Sequence, residues 1–304
     1  MGRYMKLESL IEKATQMRKK KVAVAAAEDA EVLEAAASAA EKGMAEFQLY
    51  GDESEISRIL KENHPELSEG NRMKIIHTDT KAKAAEEAVK AVRSKEAEVL
   101  MKGNIPTAAL LKAVLNKEYG LRTGNVLSHA AVFEVPGFDR LIIVTDAAMN
   151  INPDLQQKAQ IIQNTVGVAK AAGISNPKVA PLAAVEVINP AMQATLDAAA
   201  LTQMNRRGQI KGCIVDGPLA LDNAVSALAA EHKGVEGDVA GAADILLVPD
   251  IEAGNILYKS LMYFAGAKVG AVIAGASAPI VLTSRADSAE SKVTSLALAL
   301  CSAE

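Results

Sequence analysis

The chain has 304 residues, half of them hydrophobic, and carries a formal net charge of −4. This length is about twice that of a typical domain, so we expect either two domains or one large α/β unit with an ample hydrophobic core. The acidic balance argues against general nucleic-acid binding, and no apolar run is long and charge-free enough to span a bilayer.

Short apolar segments alternate with alanine-rich helical patterns in the first part of the chain. The predicted strands are residues 22–26, 46–50, 73–77 and 99–102. The predicted helices are residues 30–42, 54–61, 81–92 and 107–115, and the last of them follows Pro106. Such alternation is typical of βαβ units, which predicts a mostly parallel sheet with helices on both faces.

The alternation is interrupted between residues 126 and 145. Two strands, 126–135 and 140–145, are joined by the turn sequence Pro-Gly-Phe-Asp, which predicts a hairpin rather than a crossover. Further along, the predicted elements are a helix over 154–171, a strand over 178–187, a helix after Asn189 and Pro190, and a strand over 210–215. The interruption predicts a domain change near residue 130.

The chain contains two cysteines, Cys213 and Cys301, which have neither metal-ligand spacing nor a disulfide framework. Cys213 lies in an apolar strand pattern and is expected to pack in the core. The first residues lack the apolar centre of a signal peptide. We therefore expect a reduced, cytoplasmic protein without a metal site.

The junction at residues 279–292 places polar side chains directly after an apolar strand, 280–282, and before a helical pattern that runs from about 288 to 300. Small polar residues at a helix start leave backbone N–H groups that bind anions, and the planar guanidinium of Arg285 suits two phosphate oxygens. The same residues also suit a simple helix cap, with Asp287 and Glu290 as a capping-box pair. From these residues alone, an anion site and a cap both stay open.

A second junction, residues 246–259, also places polar groups at the carboxyl end of an apolar strand. Asp250 is suited to cap the helix that follows. Asn255 and Lys259 are four residues apart and share one face of that helix. Because α/β proteins bind ligands at the carboxyl ends of their strands, both junctions are candidate sites.

Together the two junctions resemble the phosphate acetyltransferase and phosphate butyryltransferase family. The matching segments are Met-Lys-Gly-Asn at 101–104, Ser-His at 128–129, Thr-Asp-Ala-Ala at 145–148, Asp-Gly-Pro-Leu-Ala-Leu-Asp at 216–222, Pro-Asp-x-x-Ala-Gly-Asn-Ile-x-Tyr-Lys at 249–259 and Ser-Arg-Ala-Asp-Ser at 284–288. The resemblance is colinear from about residue 73 to the C-terminus. The ending at 283–292 and the compact length resemble the butyryl branch more than the acetyl branch.

The resemblance implies a two-domain α/β fold similar to that of isocitrate and isopropylmalate dehydrogenases, with mostly parallel sheets and flanking helices. In that arrangement the last strand and helix return to the first domain. Domain I then comprises residues 1–130 and 273–304, and domain II comprises residues 131–272. The active-site cleft would lie between the domains, with Thr283, Asn255, Tyr258 and Lys259 as substrate-binding candidates.

The resemblance also implies roles for individual residues. Ser284 would stabilise the oxyanion that forms at the acyl carbon. Arg285 would bind phosphate, together with Arg122 in the segment Gly-Leu-Arg-Thr-Gly. Lys102 is the candidate for a further phosphate contact.

A general base must take the proton of the coenzyme A thiol. The aspartate that serves the acetyl branch falls at Ser291 in this chain, so Glu290 is our first candidate and Asp287 our second. His129 is expected to be structural, and Asp146 is either a cleft carboxylate or an ordinary turn residue.

The implied function is reversible acyl transfer between coenzyme A and orthophosphate, with butyryl as the preferred acyl group. Coenzyme A is a substrate, and we expect no cofactor, no metal, no nucleic-acid or membrane partner, and a homo-oligomer of at least two chains. The alternatives are a phosphate acetyltransferase and a catalytically silent protein that binds acyl-CoA or phosphate. Kinase and nicotinamide-dehydrogenase functions lack their glycine-rich phosphate motifs here.

Overall fold

The computed structural model describes residues 6–68, 72–282 and 288–303. The chain divides into two compact units. The first unit comprises residues 8–125 and 270–304, and the second unit comprises residues 1–7 and 126–269. The first unit is therefore built from two segments that are far apart in the sequence.

Helices and strands alternate along most of the described chain. The strands are β1 (Lys20–Ala25), β2 (Ala45–Gly51), β3 (Met73–His77), β4 (Val99–Lys102), β5 (Ser128–Glu134), β6 (Ile142–Thr145), β7 (Lys178–Pro181), β8 (Ile214–Val215), β9 (Ile245–Leu247), β10 (Lys268–Ala274) and β11 (Ile280–Val281). The helices are α1 (Leu7–Gln16), α2 (Ala30–Glu41), α3 (Glu53–Asn63), α4 (Pro65–Ser68), α5 (Lys81–Arg93), α6 (Thr107–Val114), α7 (Leu155–Ala171), α8 (Gln193–Arg206), α9 (Leu221–Val225), α10 (Ala227–His232), α11 (Ile251–Tyr263) and α12 (Ala289–Ser302).

The sheet of the first unit has the strand order β3-β2-β1-β4-β11-β10. Its strands run parallel from β3 to β11, and only β10 is antiparallel to its neighbour β11. Strand β11 therefore lies between β4 and β10, with Val281 opposite Met101. The last strand of the described chain is thus an internal strand of this sheet.

The sheet of the second unit has the strand order β5-β6-β9-β7-β8. Strands β5 and β6 form the predicted antiparallel hairpin, and the pairs β6/β9, β9/β7 and β7/β8 are parallel. Parallel pairs thus predominate in both units, and helices flank the strands. The prediction of a mixed α/β fold with a mostly parallel sheet is confirmed.

The final helix, α12, belongs to the core of the first unit. Its residues 291–300 are all buried, and it packs against the alanine-rich helix α2. The buried alanines of α2 allow this close approach, because their side chains end at Cβ. At the other end of α12, the Lys20 ammonium donates to the backbone oxygen of Leu300, which occupies one of the terminal carbonyls that a helix leaves unpaired.

Two predicted strands are longer than the observed ones, and several elements were not predicted. The strand predicted over 178–187 ends at Pro181, and the chain continues only as an isolated bridge between Leu182 and Leu219. The strand predicted over 210–215 is limited to β8, because Gly212 has a φ of +75°, which extended backbone does not adopt. Strand β10 was not predicted at all, and neither were α1, α4, α9 and α10.

Within the described residues, no helix combines the length and the apolar character needed to cross a membrane.

Candidate functional site

The turn that the sequence singles out is not described in the structure. Thr283, Ser284, Arg285 and Asp287 lie outside the described residues. The preceding strand, β11, is described and runs parallel to β4. The carboxyl ends of β11 and β4 therefore meet at the same edge of the first unit's sheet, next to Lys102.

Helix α12 begins on the far side of that turn. Ser288 is its N-cap, and the Ser288 hydroxyl accepts a hydrogen bond from the Ser291 backbone N–H at 3.1 Å. The third residue of α12 is therefore Ser291, not Glu290, and Asp287, the other member of the predicted capping-box pair, lies outside the described residues. Glu290 lies in the first turn of α12 with an exposed side chain.

A polar cavity of about 420 Å³ lies in the first unit, at the carboxyl ends of β1 and β4. The described residues that line it are Asp29, Glu31, Val32, Lys81, Lys102, Gly103, Asn104, Ile105, Pro106, Thr107 and Lys292. They include the first residues of α2, α5 and α6, and the positive end of a helix dipole favours anions. At α2, the N–H groups of Glu31 and Val32 already donate to the Asp29 carboxylate at 3.1 Å each. Lys102 is the one predicted site residue among the described lining residues; Arg122 and Glu290 are not.

The backbone around this cavity is held by a close approach of two turns. The Gly103 N–H donates to the Ala25 oxygen at 2.9 Å, and the Asn104 N–H donates to the Ala26 oxygen at 2.6 Å. The Asn104 side chain donates to the Glu28 oxygen at 3.2 Å. A Cβ atom at Gly103 would overlap the Ala26 carbonyl, which explains the glycine of the Met-Lys-Gly-Asn segment.

Three lysines bring positive charge to the cavity: Lys81, Lys102 and Lys292. Lys292 is only 3% exposed, and its ammonium lies 2.6 Å from a carboxylate oxygen of Glu31, which is 59% exposed. Burying an ammonium is costly unless an anion compensates it, and the Glu31 carboxylate supplies that compensation at this wall of the cavity.

Sequence reasoning did not identify Lys81 and Lys292 as residues of this cavity. Lys292 closes the family segment at 283–292, so its place in that segment was an available signal. Nothing in the local sequence singles out Lys81, which follows the α5 cap Thr80. Its place in the cavity depends on the sheet order, which brings the ends of distant strands together.

Arg122 lies in a second part of the first unit. Its backbone forms an antiparallel bridge with Ala276, and the Leu121 oxygen accepts from the Ser277 N–H at 2.9 Å. The neighbouring Thr123 hydroxyl donates to the Gly275 oxygen at 2.6 Å. The backbone at Arg122 is thus held against the segment that leads into β11, and the Arg122 side chain is exposed.

In the second unit, the junction between β9 and α11 folds as the sequence predicts. The Asp250 side chain caps α11 by accepting from the Ala253 N–H at 2.8 Å. Gly254 is buried against the turn after β6, where a Cβ atom would lie 2.8 Å from the Asp146 oxygen. The exposed Asn255 reaches the oxygen of Ala147 at 3.5 Å.

Tyr258 and Lys259 lie further along α11. The Tyr258 ring packs against His129, with the ring centroids 5.9 Å apart, and edge-on against Phe133 at 5.2 Å. Because His129 and Phe133 both belong to β5, Tyr258 packs α11 against this hairpin strand. The Lys259 side chain is exposed.

Asp146 is a structural turn residue in the described arrangement. It is buried, and one carboxylate oxygen accepts from the N–H groups of Ala148 and Met149 at 2.9 Å each. The other oxygen accepts from the Asn150 amide at 2.6 Å. These bonds fix the turn after β6 against which α11 packs.

One group of side chains in the described part of the chain has the composition of a metal site. Glu41, His64 and Glu66 have potential ligand atoms within 4.8 Å of one another. The His64 ring also lies 3.0 Å from a carboxylate oxygen of Glu34. None of these residues lines the polar cavity.

Comparisons with known proteins agree with the family that the motifs indicate. Residues 5–300 match the model of the family described as phosphate acetyl/butaryl transferase. The probable phosphate butyryltransferase of Bacillus subtilis is 59% identical over 300 residues, which cover 99% of each chain. The phosphate butyryltransferase of Clostridium beijerinckii is 53% identical over 292 residues, which cover 96% of each chain.

A solved structure gives the same result. The crystal structure of a branched-chain phosphotransacylase from Enterococcus faecalis superimposes with a TM-score of 0.81 at 37% sequence identity, covering 93% of this chain and 98% of that chain. The fold is thus that of the phosphotransacylase class. The chain belongs to the phosphate acetyl/butaryl transferase family.

Proposed function

We propose that this enzyme transfers a butyryl group reversibly between coenzyme A and orthophosphate. The observation that carries the proposal is the polar cavity at the ends of β1 and β4, where three lysines and the starts of α5 and α6 favour a phosphate group beside the carboxylates of Asp29 and Glu31. Butyryl is preferred over acetyl because the two relatives compared above are named for butyryl transfer.

In the direction of acyl-CoA synthesis, Glu290 or Asp287 takes the proton of the coenzyme A thiol. The thiolate attacks the acyl carbonyl carbon, and the Ser284 hydroxyl stabilises the oxyanion. Arg285 and Arg122 hold the phosphate as it leaves, and Lys102 adds a further contact.

Direct attack is favoured over an acyl-enzyme intermediate. A cysteine nucleophile needs its thiolate form. Burial raises the pKa of the Cys213 thiol to about 11 and also raises that of Cys301, so neither is activated. No cofactor or metal is needed for the proposed steps, in which coenzyme A is a substrate.

We also propose the fold resemblance, the substrate contacts and the location that the sequence predicts. The arrangement resembles that of isocitrate and isopropylmalate dehydrogenases, and Thr283, Asn255, Tyr258 and Lys259 contact substrate. The capping and packing of α11 support the last three, because its first turn is fixed beside the end of β6. A cytoplasmic location is proposed on the two cysteines, which are both free thiols.

We also propose a homo-oligomer of at least two chains. Within the second unit, α11 exposes Ile256, Tyr263 and the adjoining Phe264, which are 67%, 76% and 91% exposed. Gly254 is the buried residue of this 13-residue helix. A helix so rich in exposed apolar side chains is typical of an interface, and a second copy of the chain would cover it.

The proposal is tested by the release of free thiol from butyryl-CoA, measured with and without orthophosphate. Phosphate-dependent release that is faster with butyryl-CoA than with acetyl-CoA is expected. Faster release from acetyl-CoA would make the protein a phosphate acetyltransferase. Binding of acyl-CoA without any release would identify the catalytically silent alternative.

A further inference from the structure

The second unit contains an apolar pocket of about 290 Å³ that the polar chemistry above does not use. It lies where β7 and β9 end side by side, since Pro181 pairs with Leu247 in the parallel ladder. Leu182 and Val248, the next residues of the two strands, both line it. It thus occupies the edge of an α/β sheet at which ligands bind.

The pocket offers a ligand almost no hydrogen-bonding groups. All of its lining side chains are aliphatic. The N–H groups of Leu182, Ala183, Val248 and Ala253 already donate within the unit, and Pro249 has none. A group with amides or phosphates would be left unpaired here, whereas a hydrocarbon chain would lose nothing.

Half of the residues that line the pocket come from two of the family segments in the second unit. Leu221 comes from the segment at 216–222, and Pro249, Ala253 and Leu257 come from the segment at 249–259. The methyl groups of Ala183, Ala184 and Ala253 leave the interior open. Leu221, which is 42% exposed, lies at its solvent side.

We propose that this pocket binds the hydrocarbon chain of the acyl group and sets the enzyme's chain-length preference. The inference rests on the proposed acyl transfer and names the part of the substrate that the second unit recognises. Each methylene buried here raises kcat/KM by about fourfold, until the chain outgrows the pocket.

The test is Ala253→Leu, which adds three carbons inside the pocket. The measurement is kcat/KM with acetyl-, butyryl- and hexanoyl-CoA at saturating orthophosphate. We expect acetyl-CoA to lose less than about threefold and butyryl-CoA to lose about tenfold or more, because two further methylenes are displaced. Glu252→Leu is the matched control, since Glu252 is exposed on the same helix and does not line the pocket.

A second variant keeps the inference falsifiable if Ala253→Leu does not fold. Leu257→Ala enlarges the pocket and is expected to shift the preference toward hexanoyl-CoA. Equal losses for all three substrates, or no loss, would show that the acyl chain binds elsewhere. An unsubstituted enzyme that releases no thiol from any acyl-CoA would instead refute the proposed function.

Discussion

Among single residues, Lys292 combines burial with a position at the cavity wall. Its ammonium is compensated by Glu31, whose own side chain extends into solvent. An exposed carboxylate is easily displaced, because water solvates it at little cost. A substrate phosphate can therefore replace Glu31 as the partner of Lys292 without leaving a buried charge unpaired.

We predict that Lys292→Met raises the KM for orthophosphate by about tenfold or more, because a hydrogen bond to a charged group contributes roughly 1.5–3 kcal/mol. Stability should change little, since Met has a similar shape and the freed Glu31 is exposed. Steady-state kinetics and urea unfolding measure the two effects. Lys83→Met is the control, because Lys83 pairs with Glu86 and Glu87 outside the cavity; an unchanged KM in Lys292→Met would exclude a phosphate contact.

A second prediction concerns the residue that acts as the general base. Glu290→Gln should lower the rate most near neutral pH and least at high pH, where a thiol of pKa ~8.5 ionises without help. A pH–rate profile of the variant against the unsubstituted enzyme measures this. Asp287→Asn is the paired comparison: if it abolishes the rate while Glu290→Gln is silent, our order of the two carboxylates is reversed.

From the sequence alone, candidate residues can be recognised within a motif, but the residues that lie beside them in space cannot. Lys102 was proposed from the sequence because it belongs to a recognisable segment. Lys81 was not proposed, because it approaches Lys102 only after β1, β2, β3 and β4 have assembled. The N-cap of α12 is Ser288, although the sequence also offers Asp287, because both residue types suit that position.

Some helices and strands can be predicted from the local sequence pattern alone. Strands with strong apolar character and helices with clear caps, such as β3, β4 and α5, were predicted to within a residue. Strand β10 was missed, although its residues are mostly buried, because a short apolar run without a clear period also fits a loop or a helix segment. The antiparallel hairpin was predicted from its turn sequence alone.

Packing between elements leads to a prediction about α11. Gly254→Ala should destabilise the protein by roughly 1–3 kcal/mol, because the new methyl would press on the Asp146 oxygen and the Ala147 Cα at 2.8 and 2.9 Å. This strain outweighs the better helix propensity of alanine, which is about 1 kcal/mol. Urea unfolding monitored by circular dichroism measures the change.

Gly167 is the matched control for this prediction. It lies inside α7, and a Cβ atom there would meet nothing within 4 Å. Gly167→Ala should therefore stabilise the protein by up to about 1 kcal/mol through propensity alone. If both variants shift stability in the same direction, close packing at Gly254 is not what requires a glycine.

For the whole molecule, the exposed apolar side of α11 predicts assembly. Phe264→Asp should convert the oligomer into monomers, because a charge cannot be buried unpaired at an apolar interface. Light scattering coupled to size-exclusion chromatography measures the mass. Leu228→Asp, at an exposed apolar residue of α10, should leave the mass unchanged. A monomeric unsubstituted protein would remove the basis of this prediction.

The place of β11 in its sheet has a consequence for biosynthesis. During translation β4 leaves the ribosome long before β11. The edge of β4 that pairs with β11 therefore stays unpaired while residues 126–269 of the second unit are synthesised. An unpaired strand edge is prone to pair with other chains. The nascent first unit can close its sheet only when residues 280–281 and the helix after them emerge. Completion of this sheet therefore requires residues 280–281, and a ribosome stalled before that point would release an aggregation-prone chain.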